Sequence, residues 1–290
     1  MGTFDDILRW YNAVAAALLL LVGRGVPGRW ILLLVHLAAF FLLPLLAGWA
    51  GGKGFHLRSL LVRGGMAALF LPLVFTETGL LLPWVNPDPL EWYVVLGDRL
   101  LLGGRDVDQV TAFLRRGIVP DLLILCYSSF YFLPLALGFA LIRKGDLEGT
   151  KETLLAVTFG FCFSYLLYLA FPVLAPVKVL HFREPLEGGG LFHWIYGLLD
   201  GLELNKRDCF PSGHTWLTLT VLHLAWRRHR RLFLLLLPVG AGLILATVTL
   251  RFHYLLDVLA GALLYYPSMR AALWMDRRGG AWALSRPGRP

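Results

Sequence analysis

Two short strings hold residue types suited to phosphorus chemistry. Cys209-Phe210-Pro211-Ser212-Gly213-His214-Thr215 and Arg251-Phe252-His253-Tyr254-Leu255-Leu256-Asp257 each open an apolar stretch. In the first, serine is a favoured helix cap and proline is tolerated in a first turn, so a helix is predicted to start there. Helix N-termini present free N–H groups and a partial positive charge, which suits an anion and above all a phosphate. Gly213 lets the backbone approach that anion. His214 reaches the same place with a group that can give or take a proton. In the second string, His253 and Asp257 are four residues apart and are expected on one helix face. A carboxylate so placed holds one imidazole nitrogen and leaves the other as nucleophile or base. Arg251, just outside, is a natural phosphate clamp. Upstream, Lys178, Arg183, Lys206 and Arg207 add cations to segment 177–211.

The elements that must carry these residues are apolar. Of 290 residues 57% are hydrophobic, 31 more are glycine, and only 16% are charged. Mean hydropathy is +0.65. Soluble domains carry about 25% charged residues, so a soluble globular protein is excluded, and so is a disordered chain. Eight apolar runs appear, at residues 10–22, 30–47, 64–83, 117–142, 153–176, 212–226, 232–250 and 253–275. The first is short and could lie in the interface; run 212–226 is too short to cross unaided and either extends into the basic cluster that follows it or starts below the membrane surface. The predicted fold class is an all-α polytopic membrane helix bundle of about eight transmembrane helices. The net charge of +8 reads as loop topology and contact with anionic lipid, with no nucleic-acid motif beside it. Three cysteines without zinc or redox spacing support no disulfide framework. Asp5 and Asp6 with no small-residue cleavage site suggest a retained N-terminus.

Basic loops set the orientation. Arg143, Lys144 and Lys151, then Arg227, Arg228, Arg230 and Arg231, then Arg277, Arg278, Arg286 and Arg289 fall on one side, which should be cytoplasmic. Segments 86–116 and 177–211 then face outward, as do both chemistry-bearing strings. Within the first segment, Leu90–Leu102 suits a helix lying in the headgroup layer or a solvated loop. Labelling of Cys209 by an impermeant thiol reagent would test this arrangement. Glu77 reads as a hydrogen-bonded structural group, with a headgroup alcohol as its alternative partner, His36 and His223 as packing, and Tyr127, Tyr131, Tyr165 and Tyr168 as core or interface aromatics. His181 and His193 lack metal-ligand spacing.

The two strings resemble the type 2 phosphatidic acid phosphatase superfamily, which includes bacterial lipid-diphosphate phosphatases, sphingomyelin synthases and inositol phosphorylceramide synthases. Ser212-Gly213-His214 matches the middle motif and His253-x-x-x-Asp257 the last, within a match covering roughly residues 117–275. The resemblance implies a six-helix phosphatase-like core, placed here at residues 64–275. Residues 1–63 would add transmembrane helices, and 276–290 would be a basic cytoplasmic tail. It implies that His253 becomes phosphorylated, that Asp257 orients it, and that His214 protonates the leaving group. Ser212 and Gly213 would hold phosphate oxygens. Lys178 and Arg183 would stand in for the first motif, Lys-x6-Arg-Pro, although they are five apart and Pro185 does not directly follow the arginine. The compact Arg251-x-His253-Tyr254-x-x-Asp257 form and the tract 171–185 are similar to the sphingolipid-synthase branch. The activity implied is that of an integral membrane lipid phosphatase in the inner or plasma membrane, acting on a phospholipid or lipid (di)phosphate at the extracytoplasmic face. The alternatives are transfer of a phospho-headgroup to an alcohol acceptor, and a non-enzymatic lipid transporter or scaffold. Substrate lipid and membrane lipids are the expected partners. No cofactor and no catalytic metal are expected, since the Asp-rich signature of metal-dependent CDP-alcohol transferases is absent.

Overall fold

A computed structural model describes residues 2–51, 56–88, 90–182, 184–202 and 207–284. These residues form α1 (Gly2–Leu21), α2 (Arg29–Gly51), α3 (Leu57–Val85), α4 (Glu91–Leu101), α5 (Val107–Val110), α6 (Val119–Ser128), α7 (Phe132–Arg143), α8 (Leu147–Ala170), α9 (Pro176–Val179), α10 (Gly190–Leu202), α11 (Gly213–Arg228), α12 (Arg230–Thr249) and α13 (Leu255–Leu284). The only β pairing among them is an isolated bridge between Val173 and Asp208. The fold is the expected all-α polytopic bundle. Four helices, α2, α3, α8 and α12, are long and apolar enough to cross a membrane, and the pair α6–α7 makes a fifth if counted as one bent span. The other three expected runs fold as α1, α11 and α13, which are too polar or too short to qualify by length and composition alone.

Contacts at the helix ends show that the rods alternate in direction. Arg63 of α3 binds Asp5 of α1 at 2.9 Å and lies within 3.4 Å of the Ala47 carbonyl of α2. At the same pole Lys144, after α7, donates to the Arg228 carbonyl of α11, and Lys151 of α8 pairs with Asp276 of α13. At the opposite pole Asn86, after α3, donates to the Ala170 carbonyl of α8. There too the starts of α11 and α13 meet, with the Ser212 amide on the Asp257 carbonyl. The basic loops therefore share one pole and the two chemistry-bearing strings share the other.

Helix α8 is the hub, packed by α1, α3, α7, α11 and α13. The core around it includes Phe4, Tyr11, Leu137, Leu155, Leu224 and Leu243. The outer faces remain apolar: Trp30, Leu34, Leu45 and Trp49 of α2 are all well exposed. An apolar exterior over backbone-satisfied helices is the condition for residence in lipid.

The structure amends several boundaries. Run 117–142 is two helices bent by 58° at residues 129–131. Ser128 and Ser129 turn their hydroxyls back onto the Ile124 and Cys126 carbonyls, which competes with the helix ladder. Pro134 then falls in the first turn of α7, where its missing N–H costs nothing. Segment 177–211 is not all loop, because α10 folds within it and packs on α6 through Phe192 and Ile195. Helix α13 runs through Asp276, which pairs with Lys151, so the tail expected at 276–290 begins as helix. Leu90–Leu102 does form a helix, α4, with Trp92, Tyr93, Leu96 and Leu100 exposed, as a headgroup-layer helix requires.

Candidate active site

The site lies at the pole where α11 and α13 start. Ser212 caps α11: its hydroxyl accepts from the Thr215 amide at 3.2 Å, and Pro211 sits one residue before the cap instead of inside the first turn. Gly213 is required by space, since a Cβ there would collide with the Tyr168 hydroxyl. Gly261 plays the same part on α13, where a Cβ would come to 2.5 Å from the Ser212 carbonyl. Bare Gly213 lets the start of α11 sit against α8, and bare Gly261 lets α13 sit against the start of α11.

His253 precedes α13, so it does not share a helix face with Asp257 as the spacing alone had suggested. The two meet by capping. Asp257, in the first turn of α13, reaches back to accept from the Tyr254 amide at 2.8 Å. That places its Oδ2 3.4 Å from His253 Nδ1. The Asp257 carboxylate is fully buried, and its Oδ1 has no hydrogen-bond partner among the described residues. On the other side of the ring, His253 Nε2 lies 3.1 Å from His214 Nδ1. His214 is stacked on Tyr127 with ring centroids 4.6 Å apart and is flanked by Phe130 at 4.3 Å, and Tyr127 stacks in turn on Phe252 at 4.3 Å. These aromatics fix the His214 ring plane while leaving its nitrogens at the edge.

Arg251 has an unusual backbone. Helix α12 ends in a Schellman turn, with the Phe252 amide on the Thr247 carbonyl at 2.9 Å and the Arg251 amide on the Val248 carbonyl at 3.2 Å. The residue closing such a turn is left-handed and is usually glycine; here it is Arg251, at φ +68°. A side chain in that region costs about 1–2 kcal/mol. Side-chain contacts offset that strain. Its Nε and Nη2 bind Asp108 Oδ1 at 2.9 and 2.8 Å, Nη2 also reaches the Glu184 carbonyl at 2.6 Å, and the guanidinium covers the Phe182 ring at 3.9 Å. Asp108 is held in turn by Arg115 at 2.8 Å. Arg251 and His253 line one cleft, together with Asp98, Asp106, Asp108, Phe182 and Tyr254.

The other expected phosphate ligands fare differently. Lys178 does not line this cleft; its ammonium pairs with Asp200 of α10 at 2.6 Å. A helix inside the loop supplies that partner, and the loop reading could not foresee it. The Ser212 hydroxyl is buried and occupied by the cap. Arg183 and Lys206 lie outside the described residues.

Two residues that the sequence reading left without a role complete the cluster. Cys209 is buried, 3.3 Å from His253 Nδ1, and its thiol donates to Asp257 Oδ2 at 2.9 Å. Burial first, and then the Asp257 carboxylate, push the Cys209 thiol well above its usual range, so it stays an S–H donor. The bridge between Val173 and Asp208 holds it in place, with the Cys209 amide on the Val173 carbonyl at 3.2 Å. Buried this way, Cys209 is no reporter of topology. Asp98 of α4 accepts from the amides of Leu255 and Leu256 at 2.9 and 2.7 Å, capping α13 from another helix. Burial raises its carboxyl to about 6 against those two hydrogen bonds. Its sequence signal was an acidic residue on the inner face of an amphipathic helix.

A helical membrane protein that brings a serine-capped Gly-His helix start onto a His-x-x-x-Asp helix start, with an arginine in the same cleft, has the constellation of a lipid-phosphate enzyme. The chain belongs to the PAP2 superfamily: that family's model matches residues 102–271, more than half of the chain, and spans both strings. Comparison with curated proteins gives no match, and neither does comparison with solved structures. The family match supports a phosphatase-type enzyme acting on lipid phosphates and does not resolve the sphingolipid-synthase branch.

Proposed function

We propose that this protein hydrolyses a phospholipid or lipid (di)phosphate at the extracytoplasmic face of the membrane, through a phosphohistidine on His253 within a catalytic core at residues 64–275. The observation that carries this reading is the double engagement of His253. Nδ1 faces Asp257 and Cys209, while Nε2 faces His214, and His253 itself lines the cleft. With its proton on Nδ1, the ring has its lone pair on Nε2, which accepts from His214 in the resting site and attacks phosphorus once substrate replaces that contact. His214 takes up a proton as the phosphate anion enters beside it; the P–O bond to the lipid then breaks as the N–P bond forms, and His214 gives that proton to the departing alkoxide. His214, now neutral, takes a proton from water, whose oxygen attacks the phosphohistidine and releases phosphate and free His253. Arg251 stabilises the charge on the equatorial oxygens and shares its guanidinium with Asp108 in the resting state. The Gly213 helix start supplies N–H groups and a positive dipole end to the same anion.

The testing experiment supplies labelled phospholipid and lipid phosphate to purified protein in nanodiscs, with and without ceramide, diacylglycerol or inositol. Labelled inorganic phosphate or a released phospho-headgroup, unaffected by the alcohol, is the expected product. A new lipid carrying the headgroup would replace hydrolysis by transfer to an alcohol acceptor. No product from any lipid would return the chain to a transporter or scaffold.

A further inference from the structure

We propose that Cys209, His253 and Asp257 form a binding site for a thiophilic divalent cation, of which Zn2+ is the type, and that occupancy of this site switches the enzyme off. The three donor atoms are Cys209 Sγ, His253 Nδ1 and Asp257 Oδ2. They stand 3.3, 2.9 and 3.4 Å from one another, and all three residues are buried. A tetrahedral zinc ion with bonds of about 2.0–2.3 Å sets its donors roughly 3.3–3.7 Å apart. Two of the three separations already fit, and the sulfur–carboxylate distance has to widen by only about half an ångström. A second observation points to a ligand: Asp257 Oδ1, fully buried, is without a hydrogen-bond partner among the described residues, so the carboxylate has unused donor capacity.

Charge favours the site as well. On binding, the Cys209 thiol releases its proton to solvent, the proton on His253 Nδ1 moves to Nε2, and the cation takes the thiolate and the freed Nδ1 lone pair. One thiolate, one carboxylate and one neutral imidazole balance the two positive charges, so the buried cluster is left neutral. The thiolate selects Zn2+, Cd2+ or Co2+ over Mg2+ and Ca2+, which prefer all-oxygen shells. His253 lines the cleft, which gives the ion a route in and leaves the fourth coordination position to water or an anion. The consequence for activity rests on the proposed role of His253. The metal takes the nitrogen and the carboxylate oxygen that orient the ring, and it leaves the ring proton on Nε2, where the attacking lone pair would be. The site itself stands independently of that role.

The test uses the full chain in detergent or nanodiscs, with Co2+ as the spectroscopic probe and Zn2+ as the inhibitor. The wild type should show one thiolate-to-cobalt charge-transfer band per chain. The band should be abolished in Cys209→Ser and in His253→Gln and kept in Cys126→Ala and Cys162→Ala. Two losing variants on different elements keep the result readable if one of them fails to fold. Zn2+ should lower wild-type turnover by more than about tenfold, because it removes the orientation of His253, and a chelator should restore it. Relative to its own metal-free rate, Cys209→Ser should need roughly a hundredfold more Zn2+ for the same loss. Absence of the band in the wild type, or its persistence in Cys209→Ser, overturns the site. Equal inhibition by Mg2+ overturns the thiophilic assignment. A Cys209-dependent band with undiminished turnover leaves the metal site standing and contradicts the catalytic role of His253 instead.

Discussion

His36 and His253 are both buried histidines held by polar partners, and they sit in different parts of the bundle. His36 on α2 lies between α1 and α3, with Nδ1 2.8 Å from Asn12 Oδ1 and Nε2 2.8 Å from Glu77 Oε1. The Asn12 amide is spent on the Leu8 carbonyl, which fixes its oxygen toward the ring. Both nitrogens of His36 therefore meet oxygen acceptors from two neighbouring helices, and the ring acts as a strut that ties three helices together. His253, which lines a cleft, has one nitrogen held by Asp257 and Cys209 and the other facing a second histidine. What separates structure from chemistry here is the second nitrogen. The residue type, burial and the nearby carboxylate are the same in both places.

Removing each ring in turn tests this contrast. His253→Ala should lower turnover by more than about 10^4-fold, on the scale of losing a nucleophile, with little change in the unfolding midpoint. His36→Ala should do the reverse. Turnover per folded molecule should hold, while stability falls by about 1–2 kcal/mol for each interhelical hydrogen bond lost, read by thermal unfolding in detergent. Next in size, His214→Ala should cost about 10^2–10^4-fold on lipid substrates and far less on p-nitrophenyl phosphate, whose phenolate leaves without a proton. Equal losses on both substrates would remove His214 from the general-acid role. Arg251→Ala should raise the barrier by about 2–4 kcal/mol, the cost of one lost oxyanion donor, and Arg251→Lys should restore little of it because a lysine offers no fork.

The smallest effect concerns Asp98. Its folded-state carboxyl titrates near 6, above its ordinary 3.8, so between those values the folded protein binds more protons than the unfolded one. Stability should therefore fall as pH rises from about 4 to about 6 and level off above that. Asp98→Asn should flatten this slope whatever it does to the overall level. An unchanged slope would move the titration to another group.

Much of the fold was legible because membrane residence demands long apolar runs, and those runs became the rods. The motif spacings likewise marked the two helix starts. Three features stayed hidden for physical reasons. The bend at residues 129–131 depends on serine hydroxyls folding back onto carbonyls, a conformation that composition does not specify. The His253–Asp257 contact arises from capping ahead of the helix, although the four-residue spacing reads equally well as a shared face. Arg251 occupies a left-handed position where the sequence signal would have been glycine, and its partner Asp108 is 143 residues away. Cys209 and Lys178 show the same limit from opposite sides. Tertiary packing drew the cysteine into the cluster, and a helix hidden in a loop gave the lysine another partner.

Orientation is open to labelling at exposed positions instead of Cys209. In a background lacking the native cysteines, Arg116→Cys should react with an impermeant thiol reagent on intact cells, and Lys144→Cys should react only after lysis. Both side chains are exposed and stand at opposite poles of the bundle. The reverse pattern would put the site on the cytoplasmic face.

The most direct measurement is to trap the phospho-enzyme. Protein is mixed with a lipid substrate carrying labelled phosphate, quenched in base to preserve phosphohistidine, and mapped by mass spectrometry. The label should sit on His253, and it should be absent from His253→Ala. Turnover of labelled lipid with no phosphorylated residue, or with the label on His214, would contradict nucleophilic catalysis by His253.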